Sequence, residues 1–271
     1  MHTVMIVVLA RGGGARVSFG TAYDILMASQ WANAVTPFRA GAALRVYLYK
    51  RLAGVEPGAG AALVVIEGVL SAAIPALGAS AGIAWLFPAL GLTGPLGVLL
   101  ALGVACALPW CIPSRWGQIE GDGRLMRAAG KSIGLALRVR AALRRVRPWT
   151  VAAAAGCVVL SLLVQGVRLD SVLGLGGASR GSIEATVALT VANTLGIASL
   201  VPMGLGVRDA SLAWLLNALA VPGGVIGIAL VAQRIFTPGL YLLLGLECVS
   251  RLGLRKLLAR TPRSADAGAR S

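Results

Sequence analysis

Five ionisable residues, Arg45, Glu67, Arg208, Asp209 and Arg234, lie in or beside long apolar stretches. There an ionised group costs about 2.5–3.5 kcal/mol on insertion scales. Such groups face the interior of a bundle and pair, because an unpaired charge in a low-dielectric interior is costly. Two chemistries fit this set. One is a closed ion-pair network, for instance Glu67 with Arg234, which hold comparable places in the two halves of the chain. The other is anion recognition. Three arginines stand against two acids here, so an anionic group would complete the balance, and guanidinium supplies forked donors suited to phosphate.

The elements that must position these side chains are interrupted in a matching way. Pro37 is followed by Gly41 and then by Pro57-Gly58; Pro202 is followed by Gly206 and then by Pro222-Gly223. Each unit reads Pro-x3-Gly-x15-Pro-Gly, opens at a serine (Ser18, Ser182) and leads into a long apolar segment. Matching breaks of this kind predict an internal repeat with discontinuous helices at its site. The helices after Gly41 and Gly206 would start at the breaks, aiming free N–H groups and positive dipole ends at a midplane cavity that suits phosphate. Gly204 and Gly206 allow close backbone approach to a ligand, or tight packing of helices through small residues.

Composition sets the solvent. Of 271 residues, 57% are hydrophobic and only 13% charged, with a mean hydropathy of +0.82. A soluble domain carries about a quarter charged residues, so the chain is expected to be integral to a membrane. Strand-like alternation is absent and Ala, Leu and Gly dominate, which predicts helical spans. The formal net charge of +15 concentrates in segments 114–147 and 251–270. Basic stretches of this kind suit cytoplasmic loops beside anionic lipid. Zinc-finger spacing and basic–aromatic interleaving are missing, which argues against nucleic acid. Cys106, Cys111, Cys157 and Cys248 form no CxxC, and the single histidine is His2. No ligand set for zinc or haem follows, and no cofactor is expected. Gly12-Gly13-Gly14 lacks the lysine of a phosphate loop.

The segments give an expected topology. Val17 to Ala34 and Ala42 to Val55 make the first broken pair; Ala61 to about Ser80 and Leu92 to Ile112 are spans. Trp149 to Val167 spans back, and Arg168, Asp170 and Arg180 fall in a short polar external loop. Ile183 to Val201 and Arg208 to Val221 make the second broken pair, and Val225 to Val249 is the last span, with Arg234 inside it. Asp24 and Glu184 suit helix-start carboxylates, and Trp110, Trp116 and Trp149 suit interface anchors. A basic loop at 114–147 and a basic C-terminus both belong in the cytoplasm by the positive-inside rule. The two broken pairs then re-enter from opposite faces. The expected fold is an all-α polytopic transmembrane bundle with two inverted repeats, about 17–87 and 182–249, each holding a Pro/Gly-broken re-entrant helix pair. One transmembrane domain covers 1–260, and 261–271 is a disordered tail.

Asn33…Pro37-x-Arg39-x-Gly41…Arg45, with Glu67 in the next helix, resembles the first motif of the lysylphosphatidylglycerol synthase transmembrane-region family, also described as flippase-like. Pro202-x-Gly204-Leu-Gly206-Val-Arg208-Asp209-Ala, with Arg234 in the last span, resembles its second motif. The likeness runs from about Val17 to Val249. Ala42 stands where relatives usually carry an acid, Met203 replaces a glycine, and Asp209 is shorter than the usual glutamate. Relatives usually carry one or two helices before the first motif. The sequence ahead of segment 17–34 is expected to be too short for these, so this is either a short member or a start placed downstream of the true one. The synthase's soluble aminoacyl-transfer domain has no counterpart here.

The resemblance implies a bacterial inner-membrane protein that handles phospholipid or isoprenoid-linked lipid. The expected function is translocation of an anionic lipid headgroup, with Asn33, Pro37, Arg39, Gly41, Arg45, Glu67, Pro202, Gly204, Gly206, Arg208, Asp209 and Arg234 at the substrate site. The alternative is a non-catalytic subunit or scaffold docking a lipid synthase or glycosyltransferase. An enzyme is disfavoured, since no metal-binding carboxylate cluster and no nucleophile–base pair is present.

Overall fold

The computed structural model describes residues 1–36, 41–86, 141, 146–199, 204 and 206–253. Every element among them is helical. In chain order these are α1 (His2–Gly12), α2 (Phe19–Val35), α3 (Gly41–Ala53), α4 (Pro57–Leu86), α5 (Pro148–Leu175), α6 (Ser182–Ala198), α7 (Val207–Ala218), α8 (Gly223–Arg234) and α9 (Leu240–Arg251). A π-helical turn, Ile235–Gly239, joins α8 to α9 without a break. Three stretches are long and apolar enough to cross a membrane: Pro57–Trp85, Pro148–Leu175 and Gly223–Arg251. The span expected at 92–112 and most of the basic loop lie outside the described residues.

Local chemistry sets the helix starts. Ser18 caps α2, its hydroxyl accepting from the Thr21 N–H at 3.2 Å. Pro57 and Pro148 open the two long spans, where a missing N–H costs nothing. Gly206, at φ +83°, turns the chain into α7 through a conformation that favours glycine. Pro238 can give no hydrogen bond to the preceding turn, and the chain accommodates it within the π turn.

The helices pack in a reciprocal pattern. α2 and α3 form one antiparallel hairpin, α6 and α7 another, and each half's final span lies on the first hairpin helix of the other half: α4 on α6, and α9 on α2. Small residues permit these approaches. Gly78 and Gly82 of α4 face Thr190 and Val187 of α6, and Gly245 of α9 sits against Met27 and Trp31 of α2. Two apolar cores result. One joins α1, α2, α3 and α9 to the first halves of α4 and α5 around Ile25, Leu48 and Tyr49. The other joins the ends of α4 and α5 to α6, α7 and α8 around Leu189, Leu212 and Leu216.

Three expectations are corrected. α5 runs eight residues past Val167, so Arg168 and Asp170 stand inside a long helix and not in a loop. Asp170 does bind the following loop, where its carboxylate accepts from Ser179, Ser182 and the N–H groups of Arg180 and Gly181. Asp24 is no helix-start carboxylate. It lies well inside α2 and holds α9, accepting from the Cys248 thiol at 3.4 Å and facing Arg251 at 3.7 Å. The segment before Arg11, though short, is a buried helix whose Met5, Ile6 and Leu9 are almost wholly covered.

Candidate functional site

The first hairpin builds a closed polar knot. Arg45 on α3 is only 6% exposed, and its guanidinium is met on two sides. Its Nε and Nη2 donate to the Ser29 hydroxyl on α2 at 3.0 and 2.8 Å, and Nη1 pairs with the Glu67 carboxylate on α4. Glu67 is equally buried. The N–H of Gly41 donates to Asn33 Oδ1 at 2.9 Å, so the helix start expected to offer a free donor is capped by the chain itself. A Cβ at position 41 would run into the Ser29 carbonyl and the Asn33 amide, which is why a glycine stands there.

The second hairpin has the same construction with different charges. Arg208 on α7, 8% exposed, donates from Nε to Asn193 Oδ1 on α6 at 2.7 Å. No described carboxylate lies within ion-pair distance of it. The adjacent Asp209 turns away and pairs with Arg234 at the end of α8. Ion pairs do form among these residues, but not between Glu67 and Arg234, the instance offered from the sequence. Each of the two bonds within its own half, because the hairpin and the following span bring Arg45 to Glu67 and Asp209 to Arg234 first. Gly204, at φ +65°, packs on Gly196 and lets the chain pass close beside Arg208.

Two adjoining cavities separate the hairpins. One, of about 410 Å³, is lined by Asn33, Ala42, Arg45 and Glu67. The other, of about 300 Å³, is lined by Asn193, Gly204, Arg208, Gln165, Thr237 and Tyr241, among others. His2, Gln30, Ser71 and Ile197 line both, forming the wall between them. The structure thus brings Asn33, Arg45, Glu67, Gly204 and Arg208 to one polar interior. Gly41 and Gly206 start the helices that carry the arginines, while Asp209 and Arg234 line neither cavity. Pro37, Arg39 and Pro202 lie outside the described residues.

A hydrophobic bundle holding two arginine-bearing broken hairpins is the arrangement both sequence motifs pointed to. The family described as the lysylphosphatidylglycerol synthase TM region matches residues 1–245. The chain belongs to that family. No curated protein and no solved structure matches it. The family match takes in α1, which the motifs alone did not include.

Several site residues were not anticipated. Ser29 and Asn193, the neutral acceptors of the two arginines, are not among the residues expected at the site. Their signal was positional: each lies about four helical turns before an arginine across a proline break. His2 was set aside for want of a ligand partner, yet it lines both cavities. Arg168 was assigned to a loop. Its Nη2 donates to Gln233 Oε1 at 2.5 Å and to Thr237 Oγ1 at 3.1 Å, and its guanidinium lies 5.9 Å from the centroid of the Phe236 ring.

Proposed function

We propose that this protein is a lipid translocator of the cytoplasmic membrane, carrying an anionic headgroup through the paired cavities while the acyl or isoprenoid tails stay in the bilayer. One observation carries the reading: Arg208 is a buried cation, in a cavity wall, whose only side-chain partner among the described residues is a neutral amide. A guanidinium held out of water without a carboxylate is poised to bind an anion, and the bound anion would offset part of the cost of burying it. The reciprocal packing of the two hairpins supports an inverted repeat, in which each half would open toward a different face. In this reading the 114–147 loop and the C-terminus are cytoplasmic, following the charge asymmetry. The part read for the described lining residues is binding of the headgroup.

The test is reconstitution of the full chain into liposomes carrying a fluorescent anionic lipid, with the label in the outer leaflet destroyed by a membrane-impermeant reductant. Wild type should expose inner-leaflet lipid to the quencher, and Arg208→Ala should abolish this while keeping insertion and abundance. Arg208→Lys should restore it only in part, since ammonium supplies charge without the forked donors. An inactive wild type in anionic lipids of both the phospholipid and isoprenoid classes would favour a scaffold that serves a lipid synthase or glycosyltransferase.

A further inference from the structure

A second cation, Arg168, stands behind one wall of the cavity beside Arg208 without lining it. Arg168 grips Thr237, and Thr237 lines the cavity together with Gln165, one turn earlier on α5. Both of its acceptors are taken by Nη2, and its Nε is buried with no hydrogen-bond partner, the one such side-chain atom among the described residues. A guanidinium has five donors in a fixed fork, so the contacts to Gln233 and Thr237 leave its Nε–H unused.

The carboxylates near this site are all committed elsewhere. Glu67 holds Arg45, Asp209 holds Arg234, Asp24 faces Arg251, and Asp170 binds the loop after α5. The acids outside the described residues, Glu120, Asp122 and Asp266, belong to the two basic hydrophilic segments. Arg168 and Arg208 thus leave two positive charges near one cavity, neither with a described carboxylate within ion-pair distance.

We propose that Arg168 and Arg208 form a two-cation site for a dianionic phosphate monoester headgroup, in preference to a monoanionic phosphodiester. This rests on the cavity being the headgroup site. Two positive charges, Arg208 in the cavity wall and Arg168 behind it on α5, match a terminal phosphate, which carries a second charge that a diester lacks. Arg208 supplies the direct contact, and Arg168, behind Thr237, answers the second charge.

The test is binding, so that it is independent of transport. Thermal unfolding of the full chain in detergent is followed while dioleoyl phosphatidic acid (a monoester) or dioleoyl phosphatidylglycerol (a diester) is titrated in, and relative Kd values follow from the shifts. At pH 8 the monoester should bind about tenfold tighter. At pH 5, below its second ionisation near about 6, that ratio should fall to about one. His2 and Tyr241 in the same wall, and Glu67 in the adjoining cavity, face both lipids, so the Arg168 variants compared at one pH separate the part due to Arg168. Arg168→Gln should bring the pH 8 ratio to about one, and Arg168→Lys should keep most of it. Equal affinity of wild type for both lipids at pH 8, or a preference that persists at pH 5, overturns the proposal. If Arg168→Gln does not fold, the wild-type pH comparison still decides. Selective binding without movement of either lipid in liposomes would refute translocation while leaving the two-cation site standing.

Discussion

In the first half of the molecule the arginine of the hairpin's second helix is neutralised by a carboxylate on the span that follows; in the second half the corresponding arginine meets an amide, and the ion pair to the next span is made by its neighbour with the signs reversed. Arg45–Glu67 and Asp209–Arg234 tie the same kinds of element together, yet the first pair consumes the cavity-lining cation and the second leaves it over. Replacing Ser29 by Asn193 as the cross-hairpin acceptor keeps the arginine in place in both halves. One architecture therefore yields a closed knot on one side and an open binding site on the other. What separates them is where a single carboxylate is attached.

That contrast can be broken at its strongest point first. Glu67→Gln strands the buried Arg45 charge and should cost about 3–5 kcal/mol, read as a collapse in folded yield or in the midpoint of thermal unfolding in detergent. Adding Arg45→Gln should recover most of the loss; adding Arg234→Gln should recover none. Rescue by the second combination would restore the cross-half pairing that the geometry rejects. Asp209→Asn removes the equivalent pair of the second half, but those side chains are 27% and 23% exposed. Water screens the stranded charge in part, so a smaller loss is expected, on the order of 1–2 kcal/mol, between the buried and exposed cases. Equal losses for Glu67→Gln and Asp209→Asn would remove the distinction between the halves.

The helical class, the helix breaks and the placing of Asn33, Arg45, Glu67, Gly204 and Arg208 in apolar surroundings were legible because they rest on local signals: apolar length, proline and glycine breaks, and charges in apolar segments. What stayed hidden depends on the third dimension. Nothing local tells which of several arginines Glu67 will meet across the bundle. Arg168 was lost because a charged residue at a span's end usually marks its exit to water; here Gln233, Thr237 and Phe236 receive it within the bundle. Asp24 was misjudged for the same reason, its partner Arg251 lying at the other end of the sequence.

Two substitutions around Arg208 sharpen the contrast with smaller effects on stability. Arg208→Ala strands no carboxylate and deprives Asn193 of one donor, so it should cost only about 1–2 kcal/mol while removing anion binding.

The last substitution rebuilds the first half's logic in the second. Asn193→Asp puts a carboxylate where the amide now accepts from Arg208, at nearly the same volume, turning a cation–amide contact into an ion pair. Charge-assisted bonds of this geometry are stronger than neutral ones, but burying the new carboxylate offsets much of that gain. Stability should therefore change by less than about 1 kcal/mol. Binding should respond differently, because the new acid takes up the charge that a ligand would otherwise balance. Phosphatidic acid should lose its stabilising effect on this variant, while Asn193→Ser, which copies the first half's neutral acceptor without its charge, should retain it. If Asn193→Asp binds the lipid as wild type does, the uncompensated charge of Arg208 is not what distinguishes the two halves.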